Sequence, residues 1–390
     1  MSAPLTILGT GMAGLGLARQ VRAREPERAI TLITADSGDD YAKPLLSTGF
    51  AKHISPARLV QRSALEIAAQ LSVVVRTHTR VTAIDSDRRC LEIGREWLRY
   101  GELVIATGAE PRLPFVIAPE LGERVFTIND LDDYRRFHAA LMALGRPARV
   151  AIMGAGLVGC EFANDLHGGG HQVTLIAPET TPLPRLLPEP LGRAMGEAFA
   201  EAGIMLELGR GVEALAPAGA GLGSGLAVAL DDGRTLKADL VLMATGLAPR
   251  SELAARAGLE VSAAGIHTDR RLRTSEPGIH ALGDVACVAG INAMYVQPLQ
   301  SAAKALAATL GGEPCEVRYG AWPIVVKTPL LPSVALPPTQ EAFRWRIEGE
   351  GHDLSALAED ENGRLVGFAL TGNCVRRKVE LARAAPALLV

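Results

Sequence analysis

Leu5-Thr6-Ile7-Leu8-Gly9-Thr10-Gly11-Met12-Ala13-Gly14 and its later counterpart Val150-Ala151-Ile152-Met153-Gly154-Ala155-Gly156-Leu157-Val158-Gly159 decide how this chain reads. The first runs on into Leu15-Gly16-Leu17-Ala18-Arg19-Gln20-Val21, the second into Cys160-Glu161-Phe162-Ala163. Each is an apolar strand, a GxGxxG turn and a helix start, and it is this context that separates the pattern from a chance match. The glycines allow a tight turn and a close backbone approach, and the helix N-terminus beyond them suits a pyrophosphate. Two copies in one chain predict two dinucleotides, and so a path for electrons between them.

At 390 residues the chain exceeds one ordinary core, so two or three domains are expected. Hydrophobic residues make up 48% and the formal net charge is −3, which gives no global signal for nucleic acid or an anionic membrane. Cys90, Cys160, Cys287, Cys315 and Cys374 lie far apart, with no CxxC and no metal-ligand spacing, and read as reduced thiols. No basic segment precedes the first strand, and no apolar stretch reaches transmembrane length. A cytoplasmic, soluble protein is expected, with no metal.

Working outward from the fingerprints, short apolar strands alternate with helical segments over the first 310 or so positions, which predicts α/β architecture with parallel sheets. A second echo marks the boundaries. Leu103-Val104-Ile105-Ala106-Thr107-Gly108-Ala109-Glu110-Pro111 and Leu240-Val241-Leu242-Met243-Ala244-Thr245-Gly246-Leu247-Ala248-Pro249 each read as a strand, a small-residue turn and a proline. The simplest account inserts one Rossmann-like dinucleotide-binding domain in another: residues 1–113 and 247–318 as host, 114–246 as insert. The stretch from Gly219 to Gly225 reads as a hairpin loop within the insert. From Tyr319, prolines cluster at 323, 329, 332, 337 and 338, followed by a strand-like stretch and a basic helix; 319–390 reads as a small α+β domain.

Further residues fit a flavin nucleotide. Asp36, after the strand-like run Ala29 to Thr34, is placed to accept hydrogen bonds from a ribose diol; a plain turn aspartate is the structural alternative. Thr274-Ser275-Glu276-Pro277-Gly278-Ile279-His280-Ala281-Leu282-Gly283-Asp284 ends on an aspartate suited to a ribityl hydroxyl, with Gly283 allowing close approach. Together these motifs, in this order, resemble the pyridine nucleotide-disulfide oxidoreductase superfamily, which binds FAD and NAD(P)H. Within it the chain most resembles the rubredoxin reductases, through Ile33-Thr34-Ala35-Asp36, Tyr41-Ala42-Lys43-Pro44, Gly159-Cys160-Glu161-Phe162-Ala163-Asn164-Asp165-Leu166 and Val326-Lys327-Thr328-Pro329. The resemblance implies a glutathione-reductase-like fold and electron transfer from NAD(P)H through FAD to rubredoxin.

It also implies roles for single residues. Gly9, Thr10, Gly11, Met12, Ala13 and Gly14 line the FAD pyrophosphate, with Lys43 on its phosphates, Val81 at the adenine, and Thr107, Gly108, Gly283 and Asp284 along the rest of the cofactor. A helix starting near Val296 points its N-terminus at the flavin, where a partial positive charge favours the reduced anion. Gly154, Gly156, Leu157, Val158 and Gly159 hold the NAD(P)H pyrophosphate. Relatives pair a flavin-side lysine with the glutamate of the second helix. Here Glu161 is present but Thr48 stands at the lysine position, so Lys327, from the C-terminal segment, is expected to supply the charge, with Glu161 and Lys327 as the catalytic pair.

Absences narrow the chemistry further. No two cysteines are close enough in sequence for a thiol relay, and Ser47-Thr48-Gly49 replaces the Ser-Cys-Gly of peroxidase relatives, so no sulfenic acid can form there. A flavin can take an electron pair and pass it on singly, which suits a one-electron iron carrier. Ala177 stands where NADH-selective relatives carry an acid; Glu179 is the substitute, and Arg185 the candidate for a 2′-phosphate, so NADH leads and NADPH is the second option. Arg344, Arg346 and Arg376-Arg377-Lys378 suit an acidic rubredoxin, or are simply a solvated face. The alternatives are a ferredoxin acceptor, the rubredoxin domain of a flavodiiron protein, or a flavin-binding redox sensor. The short C-terminal segment predicts a monomer.

Overall fold

A computed structural model describes residues 2–219, 225–339 and 341–390. Two parallel five-stranded sheets dominate it, and they share a layout. The first runs Ile279–Ala281, Glu102–Ile105, Leu5–Leu8, Ile30–Ile33, Val74–Arg76 across its width. The second runs Val125–Phe126, Leu240–Met243, Arg149–Met153, Gln172–Ala177, Met205–Leu208. In both, the fingerprint strand is central and continuous with buried apolar side chains, as a parallel strand covered on both faces must be. Each sheet also carries an antiparallel three-stranded meander, Val81–Asp85 with Cys90–Ile93 and Glu96–Arg99 in the first half, and Val212–Pro217 with Leu226–Leu230 and Thr235–Ala238 in the second. The sequence echo is therefore a structural repeat.

Strand ends differ from the sequence reading by one or two residues: 30–33 rather than 29–34, 172–177 rather than 172–176. Of the hairpin expected between Gly219 and Gly225, residues 220–224 lie outside the described residues, though the strands on either side pair antiparallel. The two small-residue turns lead into strands that pair with each other: Ala109 opposite Pro249, Glu110 opposite Ala248, Pro111 opposite Leu247. Both chain crossings between the two halves thus form one antiparallel ribbon.

The C-terminal segment is richer than its sequence suggested. It forms a five-stranded antiparallel sheet in the order Ile324–Val326, Ser333–Leu336, Leu365–Thr371, Asp353–Glu359, Arg344–Glu350, followed by the helix Lys378–Ala384. The extreme end does not stay with it. Leu388 and Leu389 pack on the core of the first sheet with Tyr319 and Trp322, and Tyr319 and Leu389 exchange backbone hydrogen bonds at 2.9 and 3.0 Å.

His280, in the strand Ile279–Ala281, is buried, and its Nδ1 lies 3.8 Å from Glu102 with no hydrogen-bond partner among the described residues. Burial pushes its pKa down to about 4. The unfolded chain, with an ordinary imidazole near 6.5, binds the proton first as pH falls. Stability is therefore expected to decline between pH 6.5 and about 4, with up to about 1.4 kcal/mol per pH unit traceable to this group. Urea titrations across that range should show a shallower decline in His280→Asn than in the parent protein.

Candidate functional site

In each fingerprint the first glycine has φ above +100° and presses on the following small-residue turn. A Cβ on Gly9 would sit 2.3 Å from the Ala106 carbonyl oxygen, and one on Gly154 2.5 Å from that of Ala244. The third glycine closes the turn on the first: a Cβ on Gly14 or Gly159 would lie 1.9 Å from the carbonyl oxygen of Gly9 or Gly154. The middle glycines, Gly11 and Gly156, face open space and immediately precede the helices Met12–Arg24 and Leu157–Gly168. Neither helix has an acid in its first turn, so both present unopposed N–H groups. Each cradle fits a dinucleotide pyrophosphate.

Around the first cradle, Thr10 is buried, Met12 starts the helix, and Ala13 lies against Gly283, where a Cβ would approach the Ala13 methyl to 2.7 Å. Asp284 follows Gly283. Burial pushes its carboxyl up, and the Lys43 ammonium opposes that; burial pushes Lys43 down, and Asp284 opposes that in turn. Each is thus desolvated and within reach of the other's charge, although 241 positions separate their numbers (284 − 43). Lys43 also donates to the side chain of buried Asn129 at 2.7 Å, and Asn129 in turn donates to the Ala109 carbonyl at 2.8 Å. Thr107 and Gly108 sit at the crossing ribbon, where the Thr107 hydroxyl donates to the Arg250 carbonyl and the Arg250 N–H to that of Gly108.

Asp36 is exposed, and one of its oxygens accepts the Thr34 hydroxyl (2.6 Å) and the Gly38 N–H (2.9 Å). Val81 starts the first meander, half-buried on the first core; just before it, the His78 and Thr79 N–H groups donate to the Asp36 and Thr34 carbonyls, which brings the chain toward Val81 alongside Asp36. Val296 begins the helix Val296–Leu310, again with no acid in its first turn. Around the second cradle, Leu157 starts its helix, Val158 is exposed, and Glu179 is exposed without a hydrogen bond to its carboxylate among the described residues. Arg210, whose N–H donates to Ala177, turns its guanidinium to Asp232. Burial pushes the pKa of the Tyr295 phenol up, and the charge of Arg185 opposes that shift.

Glu161 and Lys327 meet. The Lys327 ammonium pairs with one Glu161 oxygen, and its backbone N–H donates to the other at 3.0 Å. Glu161 is only 4% exposed, a burial that requires such partners. Ser47 donates to the same carboxylate at 2.8 Å, whereas Thr48, the residue that occupies the lysine position, turns its hydroxyl to the Leu45 carbonyl. The basic surface is less free than its sequence suggested. Arg344 and Arg346 both pair with Glu359, Arg346 also with Glu348, and Arg377 with Glu348 and Ser355. Arg376 and Lys378 keep side chains without an ion pair among the described residues.

Sequence reasoning missed Ser47, Asn129, Asn164, Asp165 and Arg250. Their partners come from distant segments, and Ser47 was quoted only for the resemblance to Ser-Cys-Gly. Asn164 and Asp165 lay inside a motif quoted for resemblance alone, so spacing of polar residues at 161, 164 and 165 on one helix face was the available signal.

Once this geometry is in hand, comparison with known proteins gives the class. The family model for pyridine nucleotide-disulphide oxidoreductases matches residues 3–308, and the chain belongs to that family. A model described as the rubredoxin binding C-terminal domain matches residues 316–385. The chain is 41% identical to a rubredoxin-NAD(+) reductase of Alcanivorax borkumensis over 99% of both chains. It is 39% identical to one of Acinetobacter baylyi, covering 99% of this chain and 98% of that one. Among solved structures, a ferredoxin reductase from Rhodopseudomonas palustris is similar at TM-score 0.86 and 26% identity, over 98% of this chain and 95% of that one.

Removing the Lys327 ammonium leaves Glu161 buried without its cation. Lys327→Met is expected to cost about 3–5 kcal/mol, and adding Glu161→Gln to recover most of it. Urea unfolding of the parent, the two single variants and the double variant measures this directly; four equal stabilities would show the pair to be solvent-screened.

Proposed function

We propose that this chain carries electrons from NADH through FAD to rubredoxin. The observation that carries the reading is the Glu161–Lys327 pair. It joins the helix of the second cradle to the C-terminal sheet, in the segment matched by the rubredoxin-binding model. Residues 1–113 and 247–318 hold FAD, 114–246 hold NADH, and 319–390 form most of the acceptor-facing part. FAD, once bound, supplies the change from a two-electron donor to a one-electron acceptor.

The chain's own residues bind and orient. The Gly9 cradle and Lys43 take the FAD phosphates, Asp284 the ribityl chain and Asp36 the adenosine ribose. The head of the Val296–Leu310 helix favours negative charge on the flavin. The second cradle takes NADH, and Glu179 suits a free ribose diol better than a 2′-phosphate. Glu161, held by Ser47 and Lys327, places a paired charge between the two nucleotide sites. Electron transfer here uses no protein thiol. Cys160 is fully buried, donates to the Ala155 carbonyl, and is pushed by burial far above the ordinary thiol range. The five cysteines are unpaired. The reading places the protein in the cytoplasm; among the described residues no helix is long and apolar enough to cross a membrane.

Anaerobic stopped-flow absorbance tests the reading. NADH should bleach the flavin rapidly, and the reduced protein should then bleach the visible bands of oxidised rubredoxin. Flavin bleaching without rubredoxin reduction would leave the cofactors in place and shift the acceptor to a ferredoxin, a reading that the similarity to a ferredoxin reductase keeps open.

Arg376 and Lys378, without an ion pair among the described residues, are proposed to steer an acidic carrier. Replacing both with alanine should slow rubredoxin reduction by about three- to tenfold at low salt and hardly at all at high salt. Flavin reduction by NADH should not change. An unchanged carrier rate at low salt removes this face from the encounter.

A further inference from the structure

Phe50 belongs to the loop that follows the Lys43–Thr48 turn of the first half, yet its ring is seated in the second. It stacks on His138 at 5.7 Å and 20°, meets Phe137 edge-on at 5.8 Å and His171 edge-on at 6.3 Å, and lies 5.2 Å from Tyr134. The backbone beside it is gripped as well. The Phe50 and Ala51 N–H groups donate to the Asp165 carboxylate at 3.1 and 2.9 Å. Gly168, three residues on, lies so close that a Cβ there would sit 2.8 Å from that of Ala51.

Asp165 is 3% exposed, forms no salt bridge among the described residues, and sits in the interior of a helix. An apolar residue would fill that space at lower cost than a carboxylate. What the carboxylate gives in return is position: charge-assisted bonds that fix two peptide groups of another segment. The helix that carries it also holds Ser47 and Lys327 through Glu161, and accepts the Leu330 N–H on Asn164 at 3.1 Å. Its own N-terminus is the second cradle.

We propose that the segment 49–51 is a latch that fixes the second cradle relative to the turn bearing Lys43 and Ser47. Phe50 and Asp165 are its positioning residues for transfer between the two nucleotides. The proposal rests on the reading that the first cradle takes FAD and the second NADH. A shift of about 1 Å between reacting groups costs about a hundredfold in rate, so a loosened latch shows in the transfer step before it shows in binding.

The test uses the holoprotein, its Asp165→Asn variant and a second variant, Phe50→Leu, which keeps an apolar side chain should the first fail to fold. Single-turnover mixing with NADH separates the limiting rate of flavin bleaching from the dissociation constant for NADH. Amide hydrogen exchange reports on residues 50 and 51 with or without cofactor. The expected result is a limiting rate lowered about ten- to a hundredfold. NADH affinity and FAD content should stay within about twofold of the parent, and the two amides should exchange faster. A limiting rate equal to the parent's despite faster exchange, or a loss that only tracks lost FAD, overturns the latch. A parent protein that NADH fails to bleach overturns the cofactor reading instead, and the amide exchange then stands alone as a statement about folding.

Discussion

A carboxylate cannot be buried alone, and the arrangement of this protein around residues 157–168 follows from that constraint. Glu161 is covered by Ser47 and Lys327, Asp165 by the N–H groups of Phe50 and Ala51, and Asn164 by that of Leu330. These partners come from the Lys43–Thr48 turn with the residues just after it and from the C-terminal segment. Satisfying one helix face therefore draws three parts of the chain together, and the place where they meet lies between the two cradles. Hydrogen bonds of this sort contribute little net stability each, but leaving one unmade is expensive. That asymmetry makes the assembly specific.

The two halves solve the same problem twice. Each places a glycine turn between a buried parallel strand and an unopposed helix N-terminus, and each leaves only the middle glycine facing open space. The first half adds a partly desolvated lysine and aspartate, Lys43 and Asp284, each favouring the other's charged form. Around the second, Glu179 is exposed and the nearby Arg210 turns its guanidinium to Asp232. Two nearly identical cradles thus differ in what surrounds them.

Charge on the C-terminal sheet shows how composition can mislead. Arg344, Arg346 and Arg377 read as a basic face in one dimension. In the fold Arg344 and Arg346 are matched by Glu359 on the neighbouring strand, and Arg346 and Arg377 by Glu348, so of the five cations singled out in the sequence Arg376 and Lys378 are those without an ion pair among the described residues. Antiparallel pairing brought Glu359 opposite Arg344, a register that the sequence did not announce.

Strand–turn–helix periodicity and the glycine spacing are local, and they determined the α/β class, the two cradles and the GxGxxG contacts without help from tertiary structure. The wide spacing of the five cysteines was likewise legible in the sequence. Glu161 and Lys327 were legible as an expected pair through the resemblance, in which relatives pair a lysine with this glutamate and Thr48 stands at the lysine position. Beyond that, the tertiary structure decided. Ser47 rather than Thr48 meets Glu161 because the turn Lys43–Thr48 winds as a tight helix and sends adjacent side chains in different directions. Lys43 and Asp284 come within reach of each other's charge, and Phe50 sits in an aromatic box of the other half, only because distant segments fold together. Spacing along the chain carries local geometry; long-range burial, and the partners that burial demands, exist only once the sheets are packed.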